Sequence, residues 1–353
     1  MLTGQNGILN RASEAKEKTE TANKYEQRKL AQAEALMSTE DIEYNGVTIP
    51  KGFVPTKIVG EDSVDAEIVI IDGSGNEYVW VEVPKTIYKD SNYNTNGEPS
   101  SSTDYSKIEA CLKAYTSDYS DASYSDTNPS FTILYQNMLK SVYKNGGFWI
   151  GRYEAGLEEG KNPRTSYVAI AENDKAVTKP NMYPYNWVRC GEAQTLAERM
   201  NYDGVTSSLI YGLQWDLVLK FIETKKATAK DNLTTNSTAI GNYKNNLWNI
   251  TNSKARYSIN DGKSFTVGQK RKSEESAILL TTGADTSFSL MNIYDIAGNV
   301  LEWTREFCNA SGPCVFRGGS YSNIGSNSPA KDRIGSTTSD STYNLGFRLG
   351  LWK

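Results

Sequence analysis

The chain has 353 residues, with 38 Lys and Arg against 42 Asp and Glu and a formal net charge of −4. That balance leaves no basic footprint for nucleic acid, and the length allows one large domain or two ordinary ones around a sizeable core. Histidine is absent, which excludes Ser-His-Asp and Cys-His catalysis and every metal site built on imidazole.

Residues 8–38 contain no Gly or Pro and are rich in Ala, Glu, Lys and Gln, so they predict a helix supported by Glu/Lys neighbours. Its apolar face is thin: Ile8, Leu9, Ala12, Ala15, Ala22, Leu30, Ala33 and Met37. Residues 1–40 therefore read as a stalk or docking helix, or equally as a solvated arm. Residues 43–85 change to "GVTIPKGFVPTKI" and "AEIVIIDGSGNEYVWVEV", β-branched and aromatic runs broken by turn residues. These predict short strands and a hairpin. Residues 88–128 are dominated by Ser, Tyr, Asp and Asn and read as a polar surface insertion with a short helix near "KIEACLKAY".

"SFTILYQNMLKSVYKNG" predicts a helix stopped by Gly, and "GFWIGRYEAG" a strand. "AQTLAERMN" and "LIYGLQWDLVLKFIETKK" read as two amphipathic helices. Residues 226–275 are polar and predict loops with short strands; from Ile278 the strand and turn signals return. No run of 18 apolar residues occurs, so no transmembrane helix is expected, and the N-terminus has no signal-peptide core. None of the four cysteines form a C-x-x-C pair. Cys308 and Cys314 bracket "CNASGPC", a turn-forming loop that a disulfide could close in an oxidising compartment and that two thiols would suit as well.

The densest signal is C-terminal: "NIYDIAGNVLEWT", then "FRGGSY", then "NLGFRLGLW". Their order and spacing resemble the formylglycine-generating enzyme family. Weaker similarity reaches back through "YGLQWDLVLKFIE", "FWIGRYEAG" and "EYVWVEV", so that residues 41–353 are expected to form one such domain. The resemblance implies an α+β, C-type-lectin-like fold, irregular and loop-rich, carried here on an N-terminal helical stalk. Trp303, Arg317, Gly318, Gly319 and Arg348 are then frame residues. Gly318-Gly319 permits close backbone approach, and a buried Arg348 must find a carboxylate or several carbonyls. The resemblance also implies calcium on the side chains of Asp295 and Glu302 and the carbonyls of Gly298 and Val300, a donor mix that suits Ca²⁺. The residues alone allow a turn cap at Asp295 and an arginine partner for Glu302.

The family's enzyme needs two cysteines shortly after Gly-Gly-Ser-aromatic to bind copper(I), which prefers soft thiolates. Those positions fall on Asn323 and Ser328 here, so no copper and no oxidase activity are expected. Of the 23 residues from Tyr321 to Tyr343, 11 are Ser, Thr or Asn, a composition that supplies adaptable hydrogen bonds in paratopes. Residues 305–343 resemble the variable region of retroelement-diversified proteins. That resemblance makes Tyr321, Asn323, Ser326, Asn327, Lys331, Asp332, Ser336, Thr338, Asp340 and Tyr343 the expected contacts to a protein or glycan ligand.

The N-terminal stretch is similar to the segment that follows the membrane helix in pilin-like, surface-anchored proteins of Gram-positive bacteria. It implies a cell-surface location with the anchor either removed or absent from a version that starts at Met1. The leading expectation is thus a non-catalytic binding protein. Two alternatives are an atypical oxidase of the same family and a structural subunit of a pilus-like or phage-like particle.

Overall fold

The computed structural model describes residues 3–88, 99–126, 132–200 and 202–353. Six helices occur among them: α1 (Thr3–Ala35), α2 (Ser102–Tyr115), α3 (Thr132–Asn145), α4 (Cys190–Glu198), α5 (Gly212–Lys225) and the short α6 (Lys230–Thr234).

Runs of β-branched and aromatic residues build the main sheet. Six antiparallel strands lie in the order Phe53–Pro55, Val69–Asp72, Glu77–Glu82, Gly147–Gly151, Leu349–Trp352, Thr206–Leu209. Successive side chains point to opposite faces. Val69, Val79, Val81, Phe148 and Ile150 pack with α2, α3 and α5 through Leu112, Met138, Leu139, Trp215 and Leu219. On the other face Ile70, Tyr78, Trp80, Trp149 and Leu351 pack with Leu196 of α4 and with Trp303 and Phe347. Both faces are covered, which is why these strands read as near-continuous apolar runs.

A second sheet carries the C-terminal motifs in the order Arg333–Ser336, Cys314–Arg317, Leu301–Thr304, Leu345–Phe347. Its last pair is parallel and the others are antiparallel. The strands Leu345–Phe347 and Leu349–Trp352 are separated only by Arg348, so the chain passes from one sheet into the other at that residue.

Three sequence expectations change in detail. α1 docks through Ala31 and Ala35 against Val54 and Ile71, whereas Leu30 and Met37 are exposed. Small side chains let the helix backbone approach the sheet, and Arg28 fixes the rotation by reaching Glu61 and Glu77. α5 is buried along almost its whole length rather than amphipathic. The segment read as a polar surface insertion sends Ile108, Leu112 and Tyr119 into the core. Its Asp126 accepts from the first amides of α5, Gly212 N at 2.7 Å and Leu213 N at 2.9 Å. Residues 89–98 and 127–131 of that region and its border lie outside the described residues.

Candidate functional site

Gly318 and Gly319 turn the chain with φ of 87° and 72°, a region costly for any residue with a Cβ. A Cβ on Gly319 would meet the Ser328 carbonyl at 2.4 Å. The Tyr243 hydroxyl lies 2.8 Å from the carbonyls of both Gly318 and Ser328 and donates to one at a time. Trp215 Nε1 donates to Ala330 O at 2.9 Å, and Ala330 N donates to Ser237 Oγ at 2.8 Å. Backbone bonds from Lys244 N to Asn323 O, Ser237 N to Gly325 O and Lys331 N to Leu233 O complete the attachment. Residues 318–331 are therefore held by main-chain groups along one side, through α5, α6 and the segment 233–245.

Two arginines clasp the ends of this stretch. Arg317 donates to Asp216 Oδ1 at 2.9 Å, to Glu306 Oε2 at 3.1 Å and to the Asp332 carbonyl at 2.9 Å. Arg333 donates to Glu306 Oε1 at 2.7 Å and to the second oxygen of Asp216. Arg317, Asp216 and Glu306 are buried, where an unpaired charge would be very costly. Nearby Asp126 is pushed up to about 7 by burial and then by the charge of Glu306. The two guanidiniums instead hold Glu306 below the usual carboxylate range, against the opposing effect of its burial.

The ten expected contacts divide sharply by exposure. Ser326, Asn327 and Thr338 are exposed, whereas Asn323, Lys331, Asp332, Ser336, Asp340 and Tyr343 are half-buried. Tyr321 is 0 % exposed and corrects the expectation. It packs with Leu279 and Val300 and donates its hydroxyl to Asp261 Oδ1 at 2.8 Å, so it anchors the loop from beneath. Asn323 Oδ1 accepts from Ser320 N at 3.0 Å and Ser320 Oγ at 2.8 Å. Asp340 accepts from Ser336 and from Thr337 N, and these bonds lower its pKa. The exposed rim adds two side chains that the polar composition concealed, Ile324 and Ile334. Their apolar character in an otherwise polar segment was the available signal.

At the two positions where the resemblance would place copper-binding thiolates, Asn323 closes a turn and the Ser328 carbonyl lies beside Tyr243. Of the two arrangements open for Cys308 and Cys314, the structure has the thiols, and all four cysteines are free. Cys308 Sγ lies against Gly335, while Cys314 is buried in the core layer beside α4. The side chains leave the loop in different directions.

The carboxylates of the set around Asp295 already have partners within the protein. Glu302 uses both oxygens on Arg348, at 2.6 and 3.0 Å. Asp295 Oδ2 accepts from Gly283 N at 2.9 Å, and neighbouring Glu154 accepts from Asn299 Nδ2 at 2.6 Å and Val300 N at 2.9 Å. Burial raises all three carboxyls, Asp295 to about 7. Among the described residues no three Asp, Glu or Cys side chains are placed to hold one ion. With Glu302 committed to a guanidinium, this set does not fit calcium as arranged. Arg348 also donates to the carbonyls of Gly151 and Tyr294 at 3.0 and 2.8 Å, tying the two sheets together at their junction.

α1 leaves residues 15–27 exposed ahead of its docked end. No helix among the described residues is long and apolar enough to cross a membrane.

Comparison with known proteins bears on the same region. A family profile described as "Sulfatase-modifying factor enzyme 1-like domain" matches residues 141–351. No curated protein sequence matches the chain. Among solved structures it is similar to Treponema denticola variable protein 1, with 15% identity, 59% of this chain and 85% of that one covered, and a TM-score of 0.33. Similar in the same way are CarF, at 14% identity, 59% and 87% coverage and 0.35, and PvdO from Pseudomonas aeruginosa, at 16%, 59% and 82%, and 0.34.

Proposed function

The chain belongs to the sulfatase-modifying factor enzyme 1-like family, and from that premise we propose that it is a non-catalytic binding protein displaying residues 320–343 to a protein or glycan ligand. The observation that carries this reading is the division of labour within the loop. Its main chain is committed to the frame through Tyr243, Trp215, Ser237 and Arg317. Ser326, Asn327, Thr337 and Thr338 are exposed, as are Ile324 and Ile334. A held backbone reduces the ordering cost of binding, and exposed side chains can vary without disturbing it. Asn and Ser at the thiolate positions support the non-catalytic part of the proposal. The exposed portion of α1 supports a stalk that carries the domain away from its attachment, in keeping with the cell-surface location of this proposal.

The test is a glycan and protein array probed with the full chain and with a Ser326→Ala, Asn327→Ala, Thr338→Ala triple variant. A ligand whose binding falls at least tenfold in the triple variant, at unchanged melting temperature, is the expected result. Binding that survives the triple variant would move the site elsewhere. Oxygen consumption with a thiol peptide and copper would restore an oxidase instead.

A further inference from the structure

Cys190 opens α4, and Cys314 opens the strand that runs into the Gly318–Gly319 corner. Cys190 Sγ lies 3.8 Å from the Thr304 carbonyl. Thr304 pairs across the sheet with Val315, the neighbour of Cys314. Both cysteines belong to the same packed layer, and each thiol shifts the ionisation of the other, which makes them neighbours there. Cys190 is half-buried and Cys314 is buried, so Cys190 is the member of the pair nearer to solvent. Cys190 lowers the Cys314 thiol, and Cys314 raises that of Cys190. Cys314 is therefore the sulfur that ionises first, and the thiolate is the reactive form.

We propose that Cys190 and Cys314 are joined as a disulfide when the protein meets a peroxide, tying α4 covalently to the strand that supports the loop corner. The Cys314 thiolate attacks one peroxide oxygen, the O–O bond breaks, and the departing hydroxide takes up the thiol proton as water. The Cys190 sulfur then attacks the resulting sulfenic acid at sulfur. The S–O bond breaks, and the second hydroxide leaves with the Cys190 proton as water. Two thiols and one hydrogen peroxide give one disulfide and two waters, the sulfurs being oxidised and the peroxide oxygens reduced. The cross-link closes a loop of more than a hundred residues, so it restricts the unfolded chain and raises the melting temperature of the oxidised form. It stands whether or not the loop binds a ligand.

The experiment treats the full chain with equimolar hydrogen peroxide, blocks remaining thiols in denaturant and maps the peptides without reduction. A linked Cys190–Cys314 peptide is expected, with two of the four thiols lost and a melting temperature raised by several degrees that dithiothreitol returns to its starting value. The link should persist in Cys308→Ser and vanish in Cys190→Ser and in Cys190→Ala. A linked Cys308–Cys314 peptide would overturn the proposal. So would recovery of Cys190 and Cys314 as separate alkylated or oxyacid peptides.

Discussion

Arg317 and Asp216 meet at 2.9 Å in the interior, one at the end of a strand that stops at the glycine corner and the other midway along α5. Arg333, on the strand that returns from the loop, takes the second oxygen of Asp216, and both arginines share Glu306. Entry and exit of the loop are thus fastened to the same two carboxylates. Arg317→Ala would leave Asp216 and Glu306 buried with one guanidinium between them, at a cost of about 3–5 kcal/mol. Urea denaturation measures it directly; a loss under about 1 kcal/mol, the value of an exposed pair, would show that the clasp does not hold the loop.

The buried carboxyls make stability depend on pH in a stated direction. Asp126 and Asp295 are raised to about 7 and Asp216 to about 6, in each case first by burial. A raised pKa means that the folded state keeps a proton that the unfolded chain releases near pH 4. This contribution is complete below the ordinary carboxylate range and is lost as pH rises through about 6–7. Glu61 and Glu306 are lowered, so their contribution is lost only in more acid solution. The melting temperature should therefore peak near pH 5 and fall toward pH 8. Asp295→Asn should flatten that fall, since the amide needs no proton. A midpoint that rises steadily from pH 5 to 8 would contradict this arrangement.

Much of the frame was legible in the sequence because its signals are local and discrete. Gly318-Gly319, the aromatic and β-branched run through Tyr78 and Trp80, and the Gly that stops α3 each carry their own signal. Arg348 on an apolar strand announced its need for a partner, and Glu302 supplies it. What stayed hidden depends on distant pairing. Tyr321 sits in a segment of surface composition, yet it is drawn inward by Asp261, Leu279 and Val300, none of which is near it in sequence. The short loop between Cys308 and Cys314 suited a disulfide or two thiols alike, and nothing local shows that Cys314 packs in the layer beside α4. Ser, Tyr and Asp content made Asp126 look like surface, although its role is to cap a buried helix from a remote segment.

Calcium provides a separate check on the Asp295 cluster. Arg348 is paired with Glu302, and burial raises Glu154, Asp295 and Glu302 towards their protonated forms. A calcium ion would have to displace Arg348 from both oxygens of Glu302, against a charge-assisted bidentate pair. Scanning calorimetry with excess calcium and with excess chelator should return the same melting temperature. A rise of several degrees with calcium would show that the carboxylates reorganise around the ion.

The attachment of α1 rests on one side chain more than on its apolar face. Arg28 donates to Glu61 and, through Nε, to both oxygens of Glu77 at 3.2 Å. Arg152 holds the same two acids from the opposite side, at 2.9 and 2.8 Å. Among the described residues of the helix, Ala31 and Ala35 are the buried ones, too little apolar area to fix it alone. Arg28→Ala leaves Arg152 to neutralise one carboxylate, and Arg28 keeps some contact with solvent, so the domain itself should lose about 1–2 kcal/mol. The larger effect should fall on the helix. Limited proteolysis should cut between residues 11 and 38 many times faster in the variant, while the remainder of the chain resists. Equal cutting rates in the variant and the parent would mean that Ala31 and Ala35 suffice for docking, and that the four-charge network serves the sheet rather than the stalk.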